Sequence, residues 1–219
     1  MATWITHLRI AEAVMRRFPG LSEAEFAIGN IAPDSGEAQA DGLSYMPPKS
    51  VSHFLNGGRA DFRLFLQKYG DRLSCCGESE RSFYLGYISH LISDAIWSEQ
   101  VYAPLKSKYK ERIEKDYPAF VWDVKRDWYD LDHLFLKKHP DFHLYEVYSA
   151  ENGIENTYMD EFSRGAFEKK RAEIVDFYAG EHYNLERDYK YMTEAQMDAF
   201  VITAAKRVAG EITGLMCSK

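Results

Sequence analysis

The chain has 219 residues and a formal net charge of −7, with 27 Lys and Arg against 34 Asp and Glu. That balance excludes the broad basic face that grips nucleic acid, though not an anionic substrate held beside a metal ion. Hydrophobic residues make up 46% and charged residues 28%, the proportions of a globular chain, and no apolar run approaches the ~20 residues a membrane helix needs.

The opening stretch, "MATWITHLRIAEAVMRRF", lacks the charged start, apolar middle and small-residue cleavage site of a signal peptide, so the expected location is cytoplasmic. Trp4, Leu8, Ala11, Met15 and Phe18 recur at steps of four and three and predict a helix over 3–18, with Thr3 as its cap and Pro19-Gly20 as its stop. "SEAE", with Glu25 three residues after Ser22, is a capping box and predicts a second helix ending near Gly29. Residues 30–58 are rich in Pro, Gly, Ser, Asp and Asn; a connection of that length inside a compact domain is often functional.

Helices are predicted again over 60–73, 80–97, 104–115 and 118–138, the last with Pro118 in its first turn and His139-Pro140 as its break. Residues 140–156 read as a loop, and two more helices follow over 160–179 and 194–216, the latter opened by the capping box "TEAQ" at Thr193. There is no sustained period-two alternation and no repeat. Cys75, Cys76 and Cys217 form neither a disulfide framework nor a CxxC site. The expectation is one all-α, multi-helix domain over 1–219.

The helix over 80–97 contains "FYLGYISHLISDAIW". His90 and Asp94 stand four apart and share a face, close to that of Phe83, Tyr87 and Trp97. Taken alone, such a pair is a His–Asp hydrogen bond joining two helices. His7 lies beside the apolar stripe of the first helix, while Asp34 and His53 fall in the long loop. Each has an ordinary reading, as a core histidine, a turn carboxylate and a loop histidine. Together they suggest a divalent cation. It neutralises a buried carboxylate and keeps imidazole neutral, and a sulfur-free donor set suits zinc, manganese or iron at a catalytic site.

The order of "HLRIAEA", "GNIAPD", "SHF" and "FYLGYISHLISD" resembles the bacterial zinc-dependent phospholipase C family, which is related to the P1-type nucleases. The resemblance covers about the first 100 residues. It implies an all-α fold with a cluster of up to three zinc ions. It further implies that Asp34, His53, His90 and Asp94 hold one ion, and that His7 and Asp94 hold a second, with Asp94 bridging. The family's N-terminal tryptophan ligand does not carry over, because Trp4 is internal. Its third site uses a histidine where this chain has Gln100, followed by an HxxxE pair that is missing. The nearest replacement is "DWYDLDH", in which Asp127, Asp130 and His133 are spaced to share helix faces; Asp130 and His133 are taken as candidate ligands.

The function implied is a metal-dependent phosphodiester hydrolase, phospholipase C-like, using metal-bound hydroxide for in-line attack, with Asp34 as proton acceptor and one to three ions. The substrate is a small phosphoester or a phospholipid, no nucleic acid is expected as a stable partner, and the oligomeric state is open. Two alternatives stand beside it. One is a non-catalytic helical metal-binding protein. The other is an HD-type phosphohydrolase, whose adjacent His-Asp pair is lacking here, since 132–133 reads Asp-His.

Overall fold

From Ser82 onward, Glu78–Trp97 (α5) is predominantly apolar and buried on nearly every side, which requires other helices around it. The structure, a computed structural model that describes residues 1–40 and 44–217, encloses it with Trp4–Met15 (α1), Glu23–Ile31 (α2), Phe62–Cys75 (α4) and Glu194–Cys217 (α11). The fold is all-α, and the described residues include no helix long and apolar enough to cross a membrane. The helices between are Lys49–Ser52 (α3), Ala103–Lys108 (α6), Lys110–Lys115 (α7), Tyr117–Lys138 (α8), His143–Ala150 (α9) and Ala166–Ala179 (α10).

α2 and α5 cross at a glycine-to-backbone contact. A Cβ on Gly29 would lie 2.1 Å from the Phe83 carbonyl oxygen, and one on Gly86 would lie 2.3 Å from that of Phe26. No other residue type allows so close an approach. It brings Asn30 into the core, where its amide donates to Ser89 Oγ at 2.9 Å and to the Gly86 carbonyl at 3.3 Å.

The long connection is more ordered than its composition predicts, though residues 41–43 lie outside the described part. It holds a 3₁₀ turn, Ala32–Asp34, then α3 and two minimal hairpins. Glu37–Ala38 (β1) pairs with Tyr45–Met46 (β2), and Leu55–Asn56 (β3) with Arg59–Ala60 (β4). The second hairpin turns on Gly57 and Gly58, at φ +57° and +81°, a conformation that needs positive φ twice. With only two residues on each side, its strands produce no alternation to read in the sequence.

Other expectations shift for local reasons. Residues 140–156 contain α9, fixed by buried Leu144 and Tyr148 one turn apart. The predicted helix from residue 160 starts instead at Ala166, because Asn156 ties the preceding turn through Met159 O at 2.7 Å and Phe162 O at 2.8 Å. The predicted helix 104–115 is split at Tyr109 and follows a π-helical turn, Ser98–Tyr102. The Thr193 capping box forms in both directions, whereas Thr3 does not cap α1; its hydroxyl goes to Thr6 and Asp132.

Candidate metal centre

Four elements deliver five side chains to one place in the core. α1 brings His7, the 3₁₀ turn brings Asp34, the end of α3 brings His53, and α5 brings His90 and Asp94. His7 and His90 are fully buried, His53 is 2% exposed and Asp94 5%. Donor atoms of His7, His90 and Asp94, and separately of Asp34, His53 and His90, gather within 4.8 Å of one another.

Each of two imidazoles is held by one nitrogen and offers the other. His90 Nδ1 lies 2.8 Å from the Asn30 carbonyl oxygen, and His53 Nδ1 lies 2.9 Å from Ser52 Oγ. The Tyr87 hydroxyl in turn donates to the Ser52 carbonyl. Both Nε2 atoms therefore point inward, 3.4 Å apart. Engaging the outer nitrogen in this way is how proteins orient imidazole towards a metal.

The inner donors are evenly spaced. His53 Nε2 is 3.4 Å from Asp34 Oδ1 and 3.7 Å from Asp94 Oδ2, and His90 Nε2 is 3.6 Å from Asp94 Oδ2. Zinc at its usual bond lengths of about 2.0–2.2 Å has tetrahedral edges of about 3.3–3.6 Å. The second Asp94 oxygen faces the other way, 3.3 Å from His7 Nε2 and 2.9 Å from the donating Ala2 amide. Asp94 thus presents one oxygen to each side.

Electrostatics agree with the donor set. Burial and then the nearby His90 push the His7 imidazolium down to about 4, in spite of Asp94. It is neutral at pH 7, stacked on His90 at 3.9 Å, and neither of its nitrogens has a hydrogen-bond partner. Burial alone would raise the Asp34 and Asp94 carboxyls. His53 and Lys49 outweigh it at Asp34, and the amino-terminal charge, His7 and His90 outweigh it at Asp94, so both are held well below the usual range. At His90 burial is likewise overcome, by Asp94, Asp34 and the Asn30 carbonyl, and the imidazole is raised. Among the described residues neither carboxylate forms an ion pair with a lysine or arginine. Two buried anions among imidazoles, with an orphaned histidine beside them, are the surroundings a divalent cation fits.

Asp34 is also the outlet. It lies on the wall of a cleft of about 720 Å³. Its Oδ2 accepts from Trp4 Nε1 at 3.1 Å, and the indole packs against Tyr129 and Phe177, both also on the cleft wall.

The structure does not bring Asp130 and His133 to this cluster. Asp130 is 2.6 Å from Arg187 Nη2, and Asp127 is 2.8 Å from Nη1 of the same guanidinium. The His133 ring stacks on His182 at 3.3 Å. The segment fastens residues 187–191 to α8, and a carboxylate whose charge is already matched by a guanidinium attracts a cation less. Trp97 is fully buried between Trp128 and Phe200, and Phe54 packs on Phe65 and Tyr87, whereas Tyr45 lines the cleft. Sequence reasoning passed over Asn30, Ser52 and Asp132. Asn30 had a signal, as an amide in the otherwise apolar run "FAIGNIA". Asp132 had none, since its neighbours in sequence are equally acidic.

Residues 6–97, under half of the chain, match the family described as zinc dependent phospholipase C. The matched segment contains all five clustered side chains. No curated protein and no solved structure matches the chain.

Proposed function

We propose that this chain, whose residues 6–97 carry the sequence pattern of zinc-dependent phospholipase C, is a metal-dependent phosphodiester hydrolase over its whole length, 1–219, as a single domain. One observation carries the reading: buried donors of Asp34, His53, His90 and Asp94 stand at zinc-like spacing, and Asp34 opens that centre to a cleft. Those four residues would hold one ion, and His7 with the other Asp94 oxygen would contribute to a second. When bound, such ions supply positive charge to a phosphoryl oxygen and acidify water for attack.

The chain's own groups do the rest. His53 and Lys49 keep Asp34 ionised, so its carboxylate is present as a proton acceptor throughout the neutral range. Asn30 and Ser52 fix the imidazoles before substrate arrives, so little reorganisation is left for the reaction. Trp4, Tyr129 and Phe177 give the cleft an apolar wall beside the reacting phosphate, suited to the alcohol of a lipid ester.

The test is hydrolysis of short-chain phosphatidylcholine and of bis(p-nitrophenyl) phosphate by zinc-loaded protein. Turnover that disappears with chelator and returns with zinc is expected. Stoichiometric zinc without turnover of either ester or of short-chain phosphatidylserine would mean that the site is structural.

A further inference from the structure

Among the described residues, seven charged side chains line the cleft: Asp34, Glu37, Glu173, Lys49, Lys125, Lys169 and Lys170. Four of them cancel in pairs. Lys169 Nζ is 2.8 Å from Glu37 and Lys170 Nζ is 2.6 Å from Glu173. Asp34 faces the metal centre through His53. Lys49 at the start of α3 and Lys125 on α8 remain, and among the described residues neither meets a carboxylate. Lys49 Nζ reaches only Met1 Sδ, at 3.1 Å, and the Tyr45 ring; Lys125 Nζ lies 5.8 Å from the Trp122 ring centroid. The two feel each other: burial lowers the Lys125 ammonium, the charge of Lys49 adds to that, and Asp34 opposes it. In a chain of net charge −7, the described part of this cleft thus keeps two lysines with no carboxylate at ion-pair distance, Asp34 acting on them only from farther away. Low-dielectric aromatic walls concentrate their field on whatever enters.

We propose that Lys49 and Lys125 form an anion subsite beside the metal centre, which selects phosphodiesters bearing a second anionic group, a carboxylate or a phosphate, next to the scissile one. The proposal rests on the hydrolase reading for the scissile bond, but the subsite itself is a matter of binding. Its chemistry is the same for an anionic lipid headgroup and for a soluble diester. The diester phosphate is met by the ions, and the second anion by the two ammonium groups. A quaternary amine in that place is repelled by both.

Phosphoserine and phosphocholine separate these cases, since both carry one phosphate and one cationic nitrogen and only the first carries a carboxylate. By calorimetry, zinc-loaded protein is expected to bind phosphoserine at least about tenfold more tightly than phosphocholine, a ratio that shrinks with added salt. In the Lys49→Met/Lys125→Met double variant the ratio falls towards one. Both lysines are exposed, so the core is untouched. The Glu37→Gln/Lys169→Met double variant, which removes both members of a pair that already cancels, keeps the wild-type ratio. Equal affinities in the wild type, or a preference that survives the Lys49→Met/Lys125→Met substitution, would overturn the proposal.

Turnover then identifies the source. Cleavage of dihexanoyl phosphatidylserine in preference to phosphatidylcholine, with glycerophosphoserine untouched, assigns a lipid. Cleavage of glycerophosphoserine as well assigns the headgroup alone. If the phosphoserine preference holds and no diester is cleaved, the subsite stands and the hydrolase reading fails.

Discussion

Asp94 on α5 and Asp132 on α8 are both buried carboxyls on long helices, 5% and 1% exposed. Their surroundings are opposite. Asp132 accepts from three hydroxyls, Tyr178 at 2.6 Å, Thr3 at 2.8 Å and Thr6 at 3.3 Å, and burial nevertheless pushes its pKa up to about 6. Asp94 meets imidazoles and a single backbone N–H, and is held well below the ordinary range. Hydroxyls satisfy a carboxyl of either charge and tie elements together. Imidazoles arranged around an anion with inward nitrogens satisfy it only partly, and leave a space that a cation completes. The difference separates a structural acid from a candidate ligand, and burial alone does not reveal it.

The sharpest way to break this distinction is Asp94→Asn. The amide lacks the charge that both halves of the cluster share, so zinc content at saturating metal is expected to fall to less than about a tenth of wild type by elemental analysis. Phosphodiester turnover should vanish with it. Full zinc occupancy in this variant would show that Asp94 is no more a ligand than Asp132.

That five of the clustered residues could be picked from the sequence follows from their chemistry. A histidine and an aspartate four apart in "FYLGYISHLISD" conflict with the burial their neighbours demand, and such a conflict is visible without coordinates. Most of the helices were legible from their apolar pattern, though α9 fell in a segment that reads as a loop. What stayed hidden depends on partners distant in sequence. Asp130 and His133 are candidates on spacing alone, and what they meet instead, Arg187 and His182, lies 57 and 49 residues on. The Lys49–Lys125 pair is invisible for the opposite reason: what matters is that, among the described residues, no carboxylate comes within ion-pair distance of them. Short turns such as Asn56-Gly57-Gly58 were lost because two-residue strands leave no pattern.

Gly29→Ala tests whether the cluster depends on the α2–α5 crossing. The new methyl cannot coexist with the Phe83 carbonyl, so the helices must separate, at a cost of about 3 kcal/mol. Asn30 would move with α2 and its carbonyl would leave His90 Nδ1, which weakens zinc binding by about tenfold. Thermal unfolding with and without zinc reads both effects. A variant that loses stability but binds zinc as before would detach the centre from the crossing.

Asp132→Asn asks whether the contrasting acid is structural. The Asp132 carboxyl titrates at about 6 in the folded chain against an ordinary 3.8. Between those values the folded chain keeps a proton that the unfolded chain has released. The group's favourable contribution is therefore complete below pH 3.8 and is lost as pH rises to about 6. Asparagine cannot titrate, though it keeps an oxygen for Tyr178. In urea unfolding, the stability advantage of wild type over the variant should shrink by up to about 3 kcal/mol between pH 4 and 7. Zinc content should not change. A gap independent of pH would mean that Asp132 is not the buried acid the geometry describes.

The smallest effect is expected for Asp130→Asn. Arg187 retains Asp127 at 2.8 Å, and the lost pair, 21% and 23% exposed, is partly screened, so the cost is at most about 1 kcal/mol. No donor of the cluster is touched, and zinc content and turnover should equal those of wild type. This near-null result gives the Asp94→Asn loss its meaning, because both variants remove one carboxylate charge from a long helix. If zinc falls in both, α8 swings onto the centre when metal binds, and the division between α5 ligands and α8 struts does not hold.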